Sequence, residues 1–276
     1  MHLCRDYVRK AGCDAGIVTK VERADAIDNI DEIIEASDVI MVARGDLGVE
    51  LGDAELPAIQ KSMIKKARAL NKVVITATQM MESMIDNPIP TRAEVFDVAN
   101  AVLDGTDAVM LSGETAVGRY PVKVVRAMSR ICEHAEMQHE AMKSDHRLNL
   151  TFSKVDEAIA MATMYTANHL DVAAMASLTE SGNTVLWMSR ISSGIPIYAL
   201  TRHRKTQRKV ALYRGVYPVN VENDKIGPVH VTQCVVDILL DRNIVTKGQR
   251  IIMTRGNLID ERGAGTNSMK IVDIDA

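Results

Sequence analysis

The most constraining feature of this chain is a series of short apolar runs separated by stretches with helical spacing. In the first 130 residues the runs GIVTKVE (16–22), DVIMVARGD (38–46), KVVITATQM (72–80) and DAVMLSGET (107–115) alternate with ADAIDNIDEIIEAS, PAIQKSMIKKARALN, TRAEVFDVANAVLDG and PVKVVRAMSRICEHAEM. The long stretches repeat apolar residues three and four positions apart, as one face of a helix requires. The runs are too uniformly apolar for half-exposed strands and read as strands of a buried parallel sheet. Gly and Asp ahead of each run supply the helix ends and turns. Four consecutive βα units follow. As an open sheet they need a protective edge device, and neither the first nor the last run shows one. As half of an eight-stranded barrel they leave strands 1 to 4 outside this chain.

The segment HEAMKSDHRLNLTFSK (139–154) is polar and aperiodic and reads as a connection. Alternation then restarts: a helix over 155–170, VAAMASLT (172–179), a helix around 183–192, IPIYALT (195–201), a basic helix to Tyr213, VYPVNVE (216–222), a helix over 228–242, QRIIMTRG and MKIVDID. This predicts a second α/β domain, an open twisted sheet with helices on both faces. The organisation read from the chain is therefore 1–138, a connection over 139–154, and 155–276.

Composition narrows the function classes. The net charge of −3 offers no basic excess for nucleic acid. No stretch approaches the roughly 20 apolar residues of a membrane span, and MHLCRDYVRK is charged where a signal peptide is apolar. A cytoplasmic protein with no membrane partner is expected. Cys4, Cys13, Cys132 and Cys234 lack C-x-x-C spacing and read as thiols in a reducing compartment. With 16 Met and only 3% aromatic residues, the core is aliphatic and adaptable.

In parallel βα architectures ligands bind at the carboxyl ends of the strands. Those ends hold Lys20 and Glu22; Arg44, Gly45 and Asp46; Thr78 and Gln79; and Ser112, Gly113 and Glu114. Lys20 and Glu22 share a face by the two-residue period, and a structural ion pair with Asp46 capping a turn is one reading of them. The other is a pair of hard oxygen ligands for Mg²⁺ beside a fixed cation, the combination phosphoryl transfer needs to stabilise spread negative charge. Gly45 and Gly48 would let backbone N–H groups approach an anion. Spacing alone leaves enolate-forming barrel lyases open, since they use a similar Glu and Asp pair.

The segments TKVE, MVARGDLGVE, ITATQMMESMI, PTRAEVFDVANAVLDGTDAVMLSGETA and YPVKVV together resemble pyruvate kinase, colinearly along the chain. SLTESGNT, SRISSGIPIYALTRH and ALYRGVYPV look most like the bacterial form activated by AMP and sugar monophosphates. The resemblance implies the C-terminal half of a (β/α)8 TIM barrel, strands 5 to 8, followed by an open-sheet α/β regulatory domain. It implies transfer of a phosphoryl group from phosphoenolpyruvate to ADP, giving pyruvate and ATP, with Mg²⁺ or Mn²⁺.

On that resemblance Glu22 and Asp46 are the metal ligands, and Lys20 stabilises the transferring phosphoryl group and the enolate. Ala43, Gly45 and Asp46 present N–H groups to the substrate carboxylate, with Thr78 beside it. Ser112 and Glu114 take part in protonating the enolate, while Arg44 and Arg92 serve packing or subunit contacts. Thr179, Ser181, Gly182, Asn183 and Thr184 match a loop that cradles an effector phosphate, the alternative being a plain Ser/Gly turn; Glu180 stands where some forms have Lys. The chain is expected to be an N-terminally truncated fragment that starts in the helix after the fourth barrel strand. It would lack the ADP-closing β domain and the K⁺ ligands, and would be inactive alone although the full-length form is a homotetramer.

Overall fold

The computed structural model describes residues 1–142, 151–221, 230–256 and 265–275. The chain divides into two compact units, Met1–Ala141 and Met142–Ala276. The middle of the expected connection and the start of the helix expected over 228–242 lie outside the described residues.

The first unit opens with α1 (His2–Lys10) and is built on β1 (Val18–Val21), β2 (Val39–Ala43), β3 (Val73–Ala77) and β4 (Ala108–Met110). They form one parallel sheet in the order β1-β2-β3-β4. Between β1 and β2 lie α2 (Ala24–Asp28) and α3 (Ile30–Ala36), which the sequence reads as one helix. The break falls at Asn29, whose φ of −109° and ψ of 19° leave the helical region. Its side-chain amide donates to the Asp25 carbonyl at 3.0 Å, the local competition that makes Asn a weak helix former.

Two further helices correct the strand lengths read from the sequence. α4 (Arg44–Leu51) occupies most of the glycine-rich stretch read as a turn, and α7 (Gly113–Ala116) occupies the end of the fourth run. The register explains the first: Ala43 pairs with Ala77, the last residue of β3, so no ladder partner remains beyond it. α5 (Leu56–Ala69) carries Pro at its first turn, where a missing N–H costs nothing. α6 (Arg92–Leu103) begins in a complete capping box of Thr91 and Glu94, and α8 (Pro121–Glu136) and the single-turn α9 (His139–Met142) follow.

The sheet's helix-facing residues Val21, Ile40, Val42 and Val74 pack with Ile30 and Ile34 of α3 and Met63, Ile64 and Ala67 of α5, all buried. Burial of each large side chain contributes about 1.5–3 kcal/mol. A second cluster, including Met80, Met84, Val98, Val124 and Ile131, joins the segment after β3 to α6 and α8.

The second unit contains α10 (Val155–His169), β5 (Ala174–Leu178), α11 (Asn183–Ser189), β6 (Ile197–Thr201), α12 (Arg204–Val210), β7 (Val216–Asn220), α13 (Val231–Asp241), β8 (Arg250–Arg255) and β9 (Ser268–Asp273). The sheet order is β7-β6-β5-β8-β9, with β9 antiparallel to β8. Pro218 sits in β7, an edge strand, where a missing ladder donor is tolerated. Strand order reverses at β5, which makes its carboxyl end the topological switch point, the usual ligand crevice of an open α/β sheet. No helix among the described residues is long and apolar enough to cross a membrane.

Candidate functional site

Lys20 is the penultimate residue of β1 and Glu22 follows the strand, so the pleat turns both to one face. Asp46 projects from the first turn of α4. The Lys20 ammonium donates to Glu22 Oε2 and, at 2.9 Å, to Asp46 Oδ2. The cation thus lies between the two carboxylates, and Asp46 belongs to a helix. Hydrogen bonds to Glu22 and then Asp46 hold the Lys20 ammonium above its ordinary pKa. Lys20 in turn holds the Asp46 carboxyl below its own. Lys20 thus stays protonated and Asp46 ionised near neutral pH. The side chains are 47% and 60% exposed, so water screens the pair and it adds little to stability.

No cluster of three or more His, Cys, Asp or Glu suited to a metal occurs among the described residues. What the site offers is two carboxylates and no soft donor. Mg²⁺ is ordinarily bound in that way, through one or two carboxylates with water and substrate oxygens completing the shell, whereas zinc or copper would call for His or Cys. Glu22 and Asp46 fit a hard divalent cation.

Thr78 and Gln79 follow directly on β3, and both are left-handed, with φ of 64° and 51°. Such a conformation costs on the order of 1–3 kcal/mol for a non-glycine residue, and a β-branched residue rarely adopts it. Thr78 Oγ1 accepts the Gly45 N–H at 2.8 Å and donates to the Ala77 carbonyl at 2.7 Å. Of the three residues expected to present N–H groups, Gly45 therefore has its N–H on Thr78, and Ala43 is the N-cap of α4. Arg44 is buried at 6% exposure. Its Nη1 donates to both Asp97 carboxylate oxygens at 2.6 and 2.5 Å, and its Nη2 to the carbonyls of Thr78 and Gln79 at 2.9 and 3.1 Å. Sequence reasoning did not find this network, because Asp97 lies 53 residues away and carries no local signal. Arg92 is exposed.

Ser112 is the N-cap of α7, and its N–H donates to Glu114 Oε2 at 2.7 Å. The other oxygen of Glu114 accepts the Met81 N–H at 3.2 Å, and the residue is buried. Both carboxylate oxygens are turned to main chain, so the geometry gives Glu114 the work of tying the segment after β3 to the one after β4.

In the second unit the segment 179–184 links β5 to α11. Gly182 is left-handed, at φ 82°, and a Cβ there would lie 2.7 Å from Val210 Cγ1, so any other residue is strained in its backbone and displaces Val210. Thr179 Oγ1 accepts the Gly182 N–H at 3.0 Å, and Ser181 Oγ accepts the Asn183 N–H at 3.4 Å. Thr184 is buried and its hydroxyl meets that of Thr266 at 2.7 Å. The basic helix α12 fastens the loop, with Thr206 donating to the Glu180 carbonyl at 2.6 Å and Lys209 to the Ser181 carbonyl at 3.4 Å. The Glu180 carboxylate meets His203 and, at 3.5 Å, Arg202.

Residues 1–125 match the family described as "Pyruvate kinase, barrel domain", and residues 157–272 the one described as "Pyruvate kinase, alpha/beta domain". Pyruvate kinase II of Salmonella typhimurium is 54% identical over 279 residues, which cover 100% of this chain and 58% of that protein. The pyruvate kinase of Buchnera aphidicola subsp. Schizaphis graminum is 51% identical, covering 98% of this chain and 56% of its own length. That of Haemophilus influenzae is 50% identical, covering 93% and 54%. The chain thus spans a little over half the length of these curated relatives. Two family matches that between them take in both units, with half the residues identical along nearly all of it, establish that this chain belongs to the pyruvate kinase family.

Proposed function

We propose that this chain carries the metal-binding and phosphoryl-stabilising part of a pyruvate kinase, which transfers a phosphoryl group from phosphoenolpyruvate to ADP to give pyruvate and ATP. The observation that carries this reading is Lys20 held between Glu22 and Asp46 at the ends of adjacent strands. Glu22 and Asp46 would hold Mg²⁺ or Mn²⁺, which supplies neutralisation of phosphate charge. Lys20 provides the fixed cation for the equatorial oxygens of the group in flight and for the enolate oxygen that forms, an interaction stronger in the transition state than in the ground state. Thr78 and the first turn of α4 line the position for the substrate carboxylate. Ser112 and Glu114 act by holding the strand-end segments in register.

The first unit is read as strands 5 to 8 of a (β/α)8 barrel. Its sheet order runs sequentially without reversal, as consecutive barrel units do, whereas the second sheet reverses. Because the chain spans 58% of the Salmonella relative, the rest of the barrel, the nucleotide-closing domain and the K⁺ ligands are assigned to polypeptide that these 276 residues do not represent. The loop Thr179, Ser181, Gly182 and Asn183 is read as the seat of an AMP or sugar-monophosphate effector, supported by its place at the switch point and by Lys209 beside it. A cytoplasmic homotetramer is the expected working form.

Mn²⁺ titration of the 276-residue chain, followed by electron paramagnetic resonance, tests the site. Glu22→Gln and Asp46→Asn should each weaken binding, and unchanged affinity in both variants overturns the metal assignment. A coupled assay for pyruvate should show no turnover by this chain alone. Measurable turnover would show that the site is complete within it, while AMP binding without turnover is the behaviour of an effector-binding module.

A further inference from the structure

We propose that Arg44 is a positioning residue: braced by Asp97, it locks Thr78 and Gln79 in the left-handed conformation and so fixes the Thr78 hydroxyl against the Gly45 amide. Two consecutive left-handed residues, neither of them glycine, persist only where the surroundings over-determine them. Arg44 supplies that constraint. Nη2 reaches the carbonyls of both strained residues, Nε reaches that of Thr78 again at 3.3 Å, and Nη1 is engaged by Asp97 through both oxygens. A planar guanidinium held through Nη1 on both oxygens of one carboxylate has its remaining donors, Nη2 and Nε, aimed by geometry, which a lysine ammonium cannot imitate. The guanidinium is buried, so it needs the Asp97 charge to be tolerated there.

Three consecutive residues then divide the task. Arg44 grips the Thr78 carbonyl, Gly45 gives its N–H to the Thr78 hydroxyl, and Asp46 meets Lys20. The first turn of α4 and the strained pair after β3 are thus one rigid piece. The inference rests on the proposed function only in taking this piece as part of the phosphoenolpyruvate site; the locking itself does not depend on the reaction.

A cavity of about 330 Å³, lined by Arg44, Gln60, Gln79, Asp97, Asn100 and Asp104 among others, adjoins the guanidinium. It gives a small guanidinium compound a route to the position left by a truncated side chain. The test is amide hydrogen exchange by NMR on the 276-residue chain. Arg44→Ala should raise exchange of the Gly45 amide roughly tenfold or more while the mid-strand amides of Met41 and Ile75 keep their protection. Methylguanidinium should restore protection, and Arg44→Lys should not. An unchanged Gly45 amide in Arg44→Ala overturns the proposal. Equal loss of protection at Gly45, Met41 and Ile75 also overturns it, since that marks a general packing role. If Arg44→Ala does not fold, Asp97→Asn gives the same reading, with selective loss at Gly45 expected and no change refuting it. Selective loss at Gly45 together with Mn²⁺ binding insensitive to Glu22→Gln and Asp46→Asn would sink the functional reading and leave the positioning role standing.

Discussion

Replacing Gly182 by alanine isolates what the loop of the second unit demands of its sequence. The left-handed φ of 82° costs an L-residue about 1–2 kcal/mol. The new Cβ would lie 2.7 Å from Val210 Cγ1, and relief requires movement in the packed contact between the loop and α12, about 1–3 kcal/mol of overpacking. The sum, roughly 2–5 kcal/mol, is a large share of the 5–15 kcal/mol that typically holds a domain. Trp187, the sole tryptophan, lies in α11 five residues after the substitution, so its fluorescence in a urea titration reports on this unit. Val210→Ala separates the two contributions. In a double-mutant cycle it should remove the clash and return a favourable coupling of about 1–3 kcal/mol, leaving the backbone cost in place. A Gly182→Ala chain within about 0.5 kcal/mol of the parent, the range of neutral surface changes, or a coupling near zero, would refute the argument that this loop is built around a missing side chain. AMP binding should weaken in Gly182→Ala even where folding is retained, because the Gly182 N–H to Thr179 Oγ1 bond shapes the loop.

Further outcomes are expected elsewhere. Burial pushes the Glu94 carboxyl up, but hydrogen bonds from Ser83 and Thr91 outweigh it and hold the pKa below the ordinary 4.5. Its stabilising contribution is therefore present above that value and lost as pH falls through the lower folded value, so Glu94→Gln should flatten this acid limb in thermal melts, and an unaltered limb would count against the assignment. Glu114→Gln leaves one of two N–H groups, that of buried Met81 or that of exposed Ser112, facing an amide instead of an oxygen. A loss of about 1–3 kcal/mol is expected by denaturant titration followed by circular dichroism, and a neutral effect would contradict it. Within the first unit β1 and β4 each have one strand partner among the described residues. The isolated chain should self-associate as its concentration rises, and a monodisperse species across a sedimentation series would argue otherwise.

How far the fold could be read beforehand depended on whether each signal was local. The nine strands among the described residues announce themselves as apolar runs, and most helices as periodic stretches, because burial writes directly into composition along a few consecutive residues. Strand order did not, since the reversal at β5 and the antiparallel β9 depend on which surfaces meet after the helices cross over. The site divides along the same line. Lys20 and Glu22 lie two residues apart and their contact followed from the pleat, whereas the helix that begins at Arg44 had weak apolar patterning and three glycine or aspartate signals pointing to a turn. The helix forms there because β2 has run out of partner and the first turn is tied to Thr78 from 33 residues away. Thr78 itself is the sharper case: no propensity places a β-branched residue in the left-handed region, so its conformation is legible only from Arg44 and Asp97, which impose it from other elements. Residues proposed to do chemistry by contact could be nominated from the strand ends. Those that hold them in place could not, because the holding is done across distances that a one-dimensional pattern does not record.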